Sequence, residues 1–163
     1  MARVRIEYSS DGLLVTGVLY CPRSNGPGLV ELLVDTGAAL TMLSPYDQVH
    51  LGIDPLEMGL RRYEKSPMTI SGKASAFKLP DCMISLPLEG SRGARFDLEA
   101  GELLLMERAP EGAGRRGPIN RPDGPLQATK NRIPSLLGRD LLERGGLVLY
   151  ADFGKRTAYL ETS

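Results

Sequence analysis

The apolar stretches of this chain are short and repeatedly cut by glycine and proline, 19 Gly and 12 Pro in 163 residues. Such punctuation leaves no room for long helices and favours many short elements joined by turns. With few aromatic residues, the pattern leans toward an all-β fold. Arg3 to Tyr8 alternates polar and apolar and reads as one strand. Asp11-Gly12 marks a turn into a second strand, Leu13 to Tyr20, and the two make a hairpin. After the loop Arg23 to Gly28, Leu29-Val30-Glu31-Leu32-Leu33-Val34 forms a strand whose far end is buried. Leu40 to Leu43 is a further short strand. Ser44-Pro45, with Asp47 in the first turn, starts a short helix that ends near Gly52. Arg61 to Leu79 holds two strand-like runs around Ser71-Gly72-Lys73, another hairpin. Met83 to Leu88 and Phe96 to Met106 contain strands. The helical end of Leu136 to Arg144 stops at Gly145-Gly146. Leu147 to Tyr150 and Thr157 to Leu160 are the last two strands.

This gives eight or nine short strands and one or two short helices in one domain, 1–163, with no internal repeat. The stretch 109–132 has no periodicity and is expected to be a mobile loop or insertion.

Twenty basic residues balance twenty acidic ones. A neutral chain offers no field to draw in nucleic acid or an anionic membrane, so neither partner is expected. Arg61-Arg62 and Arg115-Arg116 lack aromatic stacking positions nearby and read as solvated surface. Gly112, Gly114 and Gly117 are not a phosphate loop: no Lys-Ser/Thr follows and no strand precedes. Cys21 and Cys82 are far apart and His50 has no neighbouring ligand, so no zinc site and no cofactor are expected. The cysteines read as small buried apolar groups; a disulfide between them is an open alternative that nothing in the sequence supports. The N-terminus lacks the apolar core of a signal peptide, and no apolar run is long enough to span a membrane. A cytoplasmic location is therefore the expectation.

The chemistry-bearing feature is Asp35-Thr36-Gly37. Aspartate and glycine together mark ordinary turns, so the triplet alone says little. Its setting says more. Asp35 directly follows Leu32-Leu33-Val34 and precedes Leu40-Thr41-Met42-Leu43. A carboxylate at the end of a buried strand is costly to desolvate unless it is well hydrogen-bonded. Gly37 permits close backbone approach, and Thr36 carries a hydroxyl.

The segment Leu32 to Ala38 resembles the active-site loop of the retropepsin-like aspartic proteases. About a hundred residues later, Leu136-Leu137-Gly138-Arg139-Asp140-Leu141-Leu142 resembles that family's second signature. The hairpin around Ile70-Ser71-Gly72-Lys73-Ala74 lies between them, where the family carries its flap. The resemblance implies a closed β-barrel of the acid-protease type with a flap hairpin, and an aspartic endopeptidase activity. Peptide hydrolysis of this class uses two carboxylates facing each other across one water, with one proton shared between them. This sequence has a single Asp-Thr-Gly, and Asp11-Gly12, Asp81-Cys82 and Asp123-Gly124 are no substitutes. The second carboxylate is therefore expected from a second copy, a homodimer acting on a peptide or protein substrate.

The resemblance assigns roles. Asp35 is the catalytic carboxylate, Thr36 bonds across the two-fold axis, and Gly37, Ala38 and Ala39 lie along the substrate cleft. Ile70, Ser71, Gly72 and Lys73 belong to a flap that closes over substrate. Gly138 packs under the active-site loop, and Arg139 and Asp140 give structural support, Arg139 through an ion pair. Viral members often carry an aspartate where this chain has Ala39, which leaves the partner of Arg139 open. The alternative reading is an inactive dimer of the same fold, used for binding or assembly.

Overall fold

The computed structural model describes residues 1–65, 68–69, 72–73, 75–90, 92–107 and 134–163. In chain order the strands are β1 (Arg3–Arg5), β2 (Glu7–Ser9), β3 (Gly12–Tyr20), β4 (Gly28–Val34) and β5 (Met42–Leu43). Helix α1 (Pro45–His50) follows, then β6 (Met68–Thr69), β7 (Gly72–Lys73), β8 (Ala76–Pro87), β9 (Arg95–Met106) and β10 (Ser135–Leu137). Helix α2 (Arg139–Arg144) and strands β11 (Leu147–Asp152) and β12 (Thr157–Thr162) complete the chain.

The strands close on themselves. β3 pairs with β4, β4 with β10, β10 with β5, β5 with β9, β9 with β8, and β8 returns to β3. This six-stranded ring is a barrel, and closure removes the free sheet edges that invite aggregation. Inside it sit the inward-facing residues of each strand, among them Leu19, Leu32, Leu43, Ile84, Leu103 and Leu137, all nearly inaccessible to solvent. Each such side chain contributes roughly 1.5–3 kcal/mol through burial. A separate sheet of β1, β12 and β11 stands beside the barrel, with β12 in the middle and β11 at one edge.

Both helices are short, as expected from the glycines that bound them. Ser44 caps α1, its Oγ accepting the Asp47 N–H at 3.3 Å, and Pro45 fills the first position. Gly52, in the left-handed region at φ +66°, turns the chain away. The Ser135 hydroxyl accepts the Ser44 N–H at 2.9 Å and donates to the Asp47 carboxylate. A buried polar knot thus fixes α1 against β10.

Three expectations need correction. Arg3 to Tyr8 is not one strand: it divides at Ile6 into β1, which pairs with β12, and β2, which pairs with β3. The runs ending at Leu79 and starting at Met83 are one strand, β8. Pro80-Asp81 looks like a break, but the chain passes through it as a bulge, with Asp81 at φ 59°. Ser135-Leu136-Leu137, where no strand is expected, is a strand paired on both sides. The expected mobile loop at 109–132 lies outside the described residues. Among the described residues no helix is long and apolar enough to cross a membrane, and no group of His, Cys, Asp and Glu could hold a metal ion.

Candidate active site

The site follows from one topological fact. The chain leaves β4 at Val34 and re-enters the barrel at β5, but these strands are not neighbours. β10 lies between them, parallel to β4 and antiparallel to β5. Residues 35–41 must therefore arch over the end of β10, which is where Gly138 stands. A Cβ on Gly138 would lie 2.5 Å from the carbonyl carbon of Leu40 and 2.9 Å from the Thr41 nitrogen. Both are backbone atoms that cannot swing aside, so only glycine fits. Gly138 packs beneath the loop.

Hydrogen bonds bind arch to strand end. The Asp35 N–H donates to the Leu137 carbonyl at 3.1 Å, continuing the β4–β10 ladder by one residue. Arg139 and Asp140 donate their N–H groups to the carbonyls of Ala38 and Ala39 at 2.9 and 3.2 Å. The first turn of α2 is thereby locked to the loop. Thr41, 1% exposed, is the central link. Its hydroxyl accepts the Gly138 N–H at 2.9 Å and donates to Asp140 Oδ1 at 2.7 Å.

The arch presents one carboxylate. Asp35 is half-buried, and its Oδ1 accepts the N–H groups of Gly37 at 2.8 Å and Ala38 at 3.2 Å. Bonds from amides to an ionised oxygen are among the stronger hydrogen bonds and fix its direction. A Cβ at Gly37 would come within 3.1 Å of that oxygen, so glycine keeps the approach open. Such a carboxylate, steered through one oxygen, can hold a water and take a proton from it.

The other residues singled out in the sequence fall as follows. Thr36, Gly37 and Ala39 are exposed and Ala38 is half-buried, so this stretch forms the outward surface of the loop. Arg139 is exposed and forms no ion pair among the described residues, while the Asp140 carboxylate is engaged by Thr41. Ile70 and Ser71 lie outside the described residues. The backbones of Gly72 and Lys73 form β7, paired antiparallel with β6 as a hairpin. Thr41 and Ser135 were not singled out. Each is a lone hydroxyl in an apolar run, which is the one signal that marks it.

No protein-family model matches the chain, and no curated protein matches it in sequence. Among solved structures it is similar to a retropepsin-like aspartic protease from Rickettsia conorii, with TM-score 0.53 and 19% identity over 99% of each chain. It also aligns with the EIAV protease complexed with the inhibitor HBY-793, with TM-score 0.38 and 16% identity over 78% of this chain and 84% of that one. That second superposition is too loose to carry weight. The full-length match to the first, together with the closed ring and the strand slotted beneath the Asp35 arch, gives this protein the retropepsin-like fold.

Proposed function

We propose that the protein is an aspartic endopeptidase whose active site is completed by a second copy of the chain. The observation that carries this reading is the Asp35 carboxylate. It is set on a loop anchored at both ends and steered through one oxygen by two amides, and the sequence offers it no second Asp-Thr-Gly as a partner. Two such loops meeting at a two-fold axis bring two carboxylates together, and at that distance the pair keeps one proton between them. The ionised member takes a proton from a bound water, whose oxygen attacks the scissile carbonyl carbon. The protonated member hydrogen-bonds the carbonyl oxygen. Collapse of the adduct breaks the C–N bond and sends a proton to the leaving amine.

In this reading the exposed Thr36 reaches the partner's loop. Backbone groups of Gly37, Ala38 and Ala39 line the cleft, and the β6–β7 hairpin closes over substrate. Gly138, Arg139 and Asp140 hold the loop from below. The apolar residues Ala38 and Leu40 near the carboxylate suit hydrophobic side chains next to the cleaved bond.

The test is cleavage of a mixed peptide library between about pH 4 and 7, by wild type and by Asp35→Asn, with particle sizes measured in parallel. The expected result is cleavage by a wild-type dimer and a loss on the order of a thousandfold or more in an equally dimeric Asp35→Asn variant. A well-folded dimer that cleaves nothing across this range would instead favour a binding or assembly role.

A further inference from the structure

Cys21 and Cys82 are the chain's two cysteines, and both are buried, at 6% and 3% exposure. The antiparallel ladder of β3 and β8 pairs Val18 with Ser85, Leu19 with Ile84 and Tyr20 with Met83. One further step in that register sets Cys21 opposite Cys82. The faces agree: Leu19 and Ile84 are buried, Tyr20 between them and the end is exposed, and both cysteines return to the interior. Directly opposed residues of an antiparallel pair have Cα atoms about 4.5–5.5 Å apart. That lies within the roughly 4.4–6.8 Å that a disulfide bridges.

The side chains interact as this register requires. The Cys82 thiol is pushed well above the ordinary thiol range, first by burial and then by the nearness of Cys21, with Asp81 adding to it. Its S–H points at the carbonyls of Leu79 and Pro80, at 3.5 and 3.6 Å. The backbone at this point already departs from a regular ladder. Asp81 is left-handed, and the β8–β9 register shifts on both sides of Cys82. A bulge is where a strand can adjust to a short cross-link.

We propose that Cys21 and Cys82 form a redox site, a buried dithiol that a hydroperoxide converts to an intrachain disulfide and a small thiol restores. With hydrogen peroxide, the two thiols give up two protons and two electrons as the S–S bond forms. The O–O bond breaks and both oxygens leave as water. A buried protonated thiol is a weak nucleophile, so the reaction proceeds from local openings of the strand end and is slow. The bond then closes a loop of about 60 residues, which contains the Asp35 arch, α1 and the β6–β7 hairpin. Closing so long a loop restricts the unfolded chain and stabilises the barrel. This inference does not depend on the peptidase reading.

The experiment treats the native protein with hydrogen peroxide, quenches it, unfolds it, counts free thiols and maps the peptides by mass. The expected result is joint loss of both thiols and a linked pair of peptides, two hydrogen masses lighter than their sum, which dithiothreitol separates. Thermal unfolding should move up by roughly 10 °C and return on reduction. Cys21→Ala and Cys82→Ala should each lose that rise. Retention of both thiols, their conversion to sulfinic or sulfonic acids, cross-linking between chains, or a bond that forms without a rise in Tm would each overturn the proposal. The same Tm rise in either alanine variant would overturn it too. Should an alanine variant fail to fold, the wild-type peptide map and Tm decide.

Discussion

At the scale of single residues, the Asp35 loop depends on a side chain that carries no chemistry. Thr41 satisfies the buried Gly138 N–H and orients the half-buried Asp140 carboxylate, and its own hydroxyl sits out of reach of solvent. Valine has nearly the shape of threonine but neither donates nor accepts. Thr41→Val should therefore cost about 2–4 kcal/mol, because a buried N–H and a carboxylate oxygen lose their partner. Thr41→Ser keeps the hydroxyl and should cost only about 1 kcal/mol for the lost methyl. Urea unfolding of the two variants checks this. Equal losses would mean that packing, not the hydroxyl, holds the arch. Apart from being a lone hydroxyl in an apolar run, Thr41 gave no sign of this role in sequence, for a physical reason. Threonine suits a strand on its own account, and its two partners lie 97 and 99 residues away. Asp35 and Gly138 were legible because each belongs to a short motif. Why Gly138 must be glycine was not, since the clash is with Leu40 and Thr41, a hundred residues earlier.

At the scale of elements, periodicity found most strands but could not say which neighbours they take. β10 shows the limit. Ser-Leu-Leu before a glycine and a helix looks like a lead-in, and three residues are too few to show alternation. Its identity as a strand comes entirely from β4 and β5 on either side. β8 shows the opposite error, since Pro80-Asp81 reads as a stop and the bulge carries the strand through. A different kind of tie joins the segment before β6 to the end of β9. Arg62 pairs through two nitrogens with Glu107, at 2.7 and 3.0 Å, and its guanidinium lies 4.8 Å from the centre of the Phe77 ring. The hydrogen bond to Arg62, more than any other influence, holds the Glu107 carboxyl below its usual 4.5. A group whose folded value is lowered stabilises the fold above its unfolded value, and that contribution disappears as pH falls through the folded one. Arg62 is exposed and Glu107 only half-buried, so the effect is small and screened by salt. Glu107→Gln should therefore lower the urea midpoint slightly near about pH 7, and that difference should shrink as pH falls below 4.5. A difference that persists in acid would assign the effect to packing around Phe77.

At the scale of the whole molecule, two features point outward from an otherwise closed body. Among the described residues the six-stranded ring closes on itself, with β2 added at one side of β3, whereas the β1–β12–β11 sheet ends on β11 with Val148 and Tyr150 exposed. The Asp35 arch, in turn, presents one carboxylate where the proposed chemistry needs two. A neutral chain, with twenty charges of each sign, raises no general repulsion against a second copy. If the active unit contains two chains and needs Asp35 from both, activity must depend on how copies are mixed. Wild type refolded together with Asp35→Asn assorts at random, and a wild-type chain is then productive only when its partner is also wild type. Activity per wild-type chain should fall to about one half at equal amounts and to about one tenth at a ninefold excess of the variant. A chain that worked alone would show no change with mixing, and one that needed a partner only for its shape would keep full activity beside Asp35→Asn. Only the shared carboxylate pair gives the proportional fall, because the inactive chain docks normally and withholds one oxygen acid from the pair.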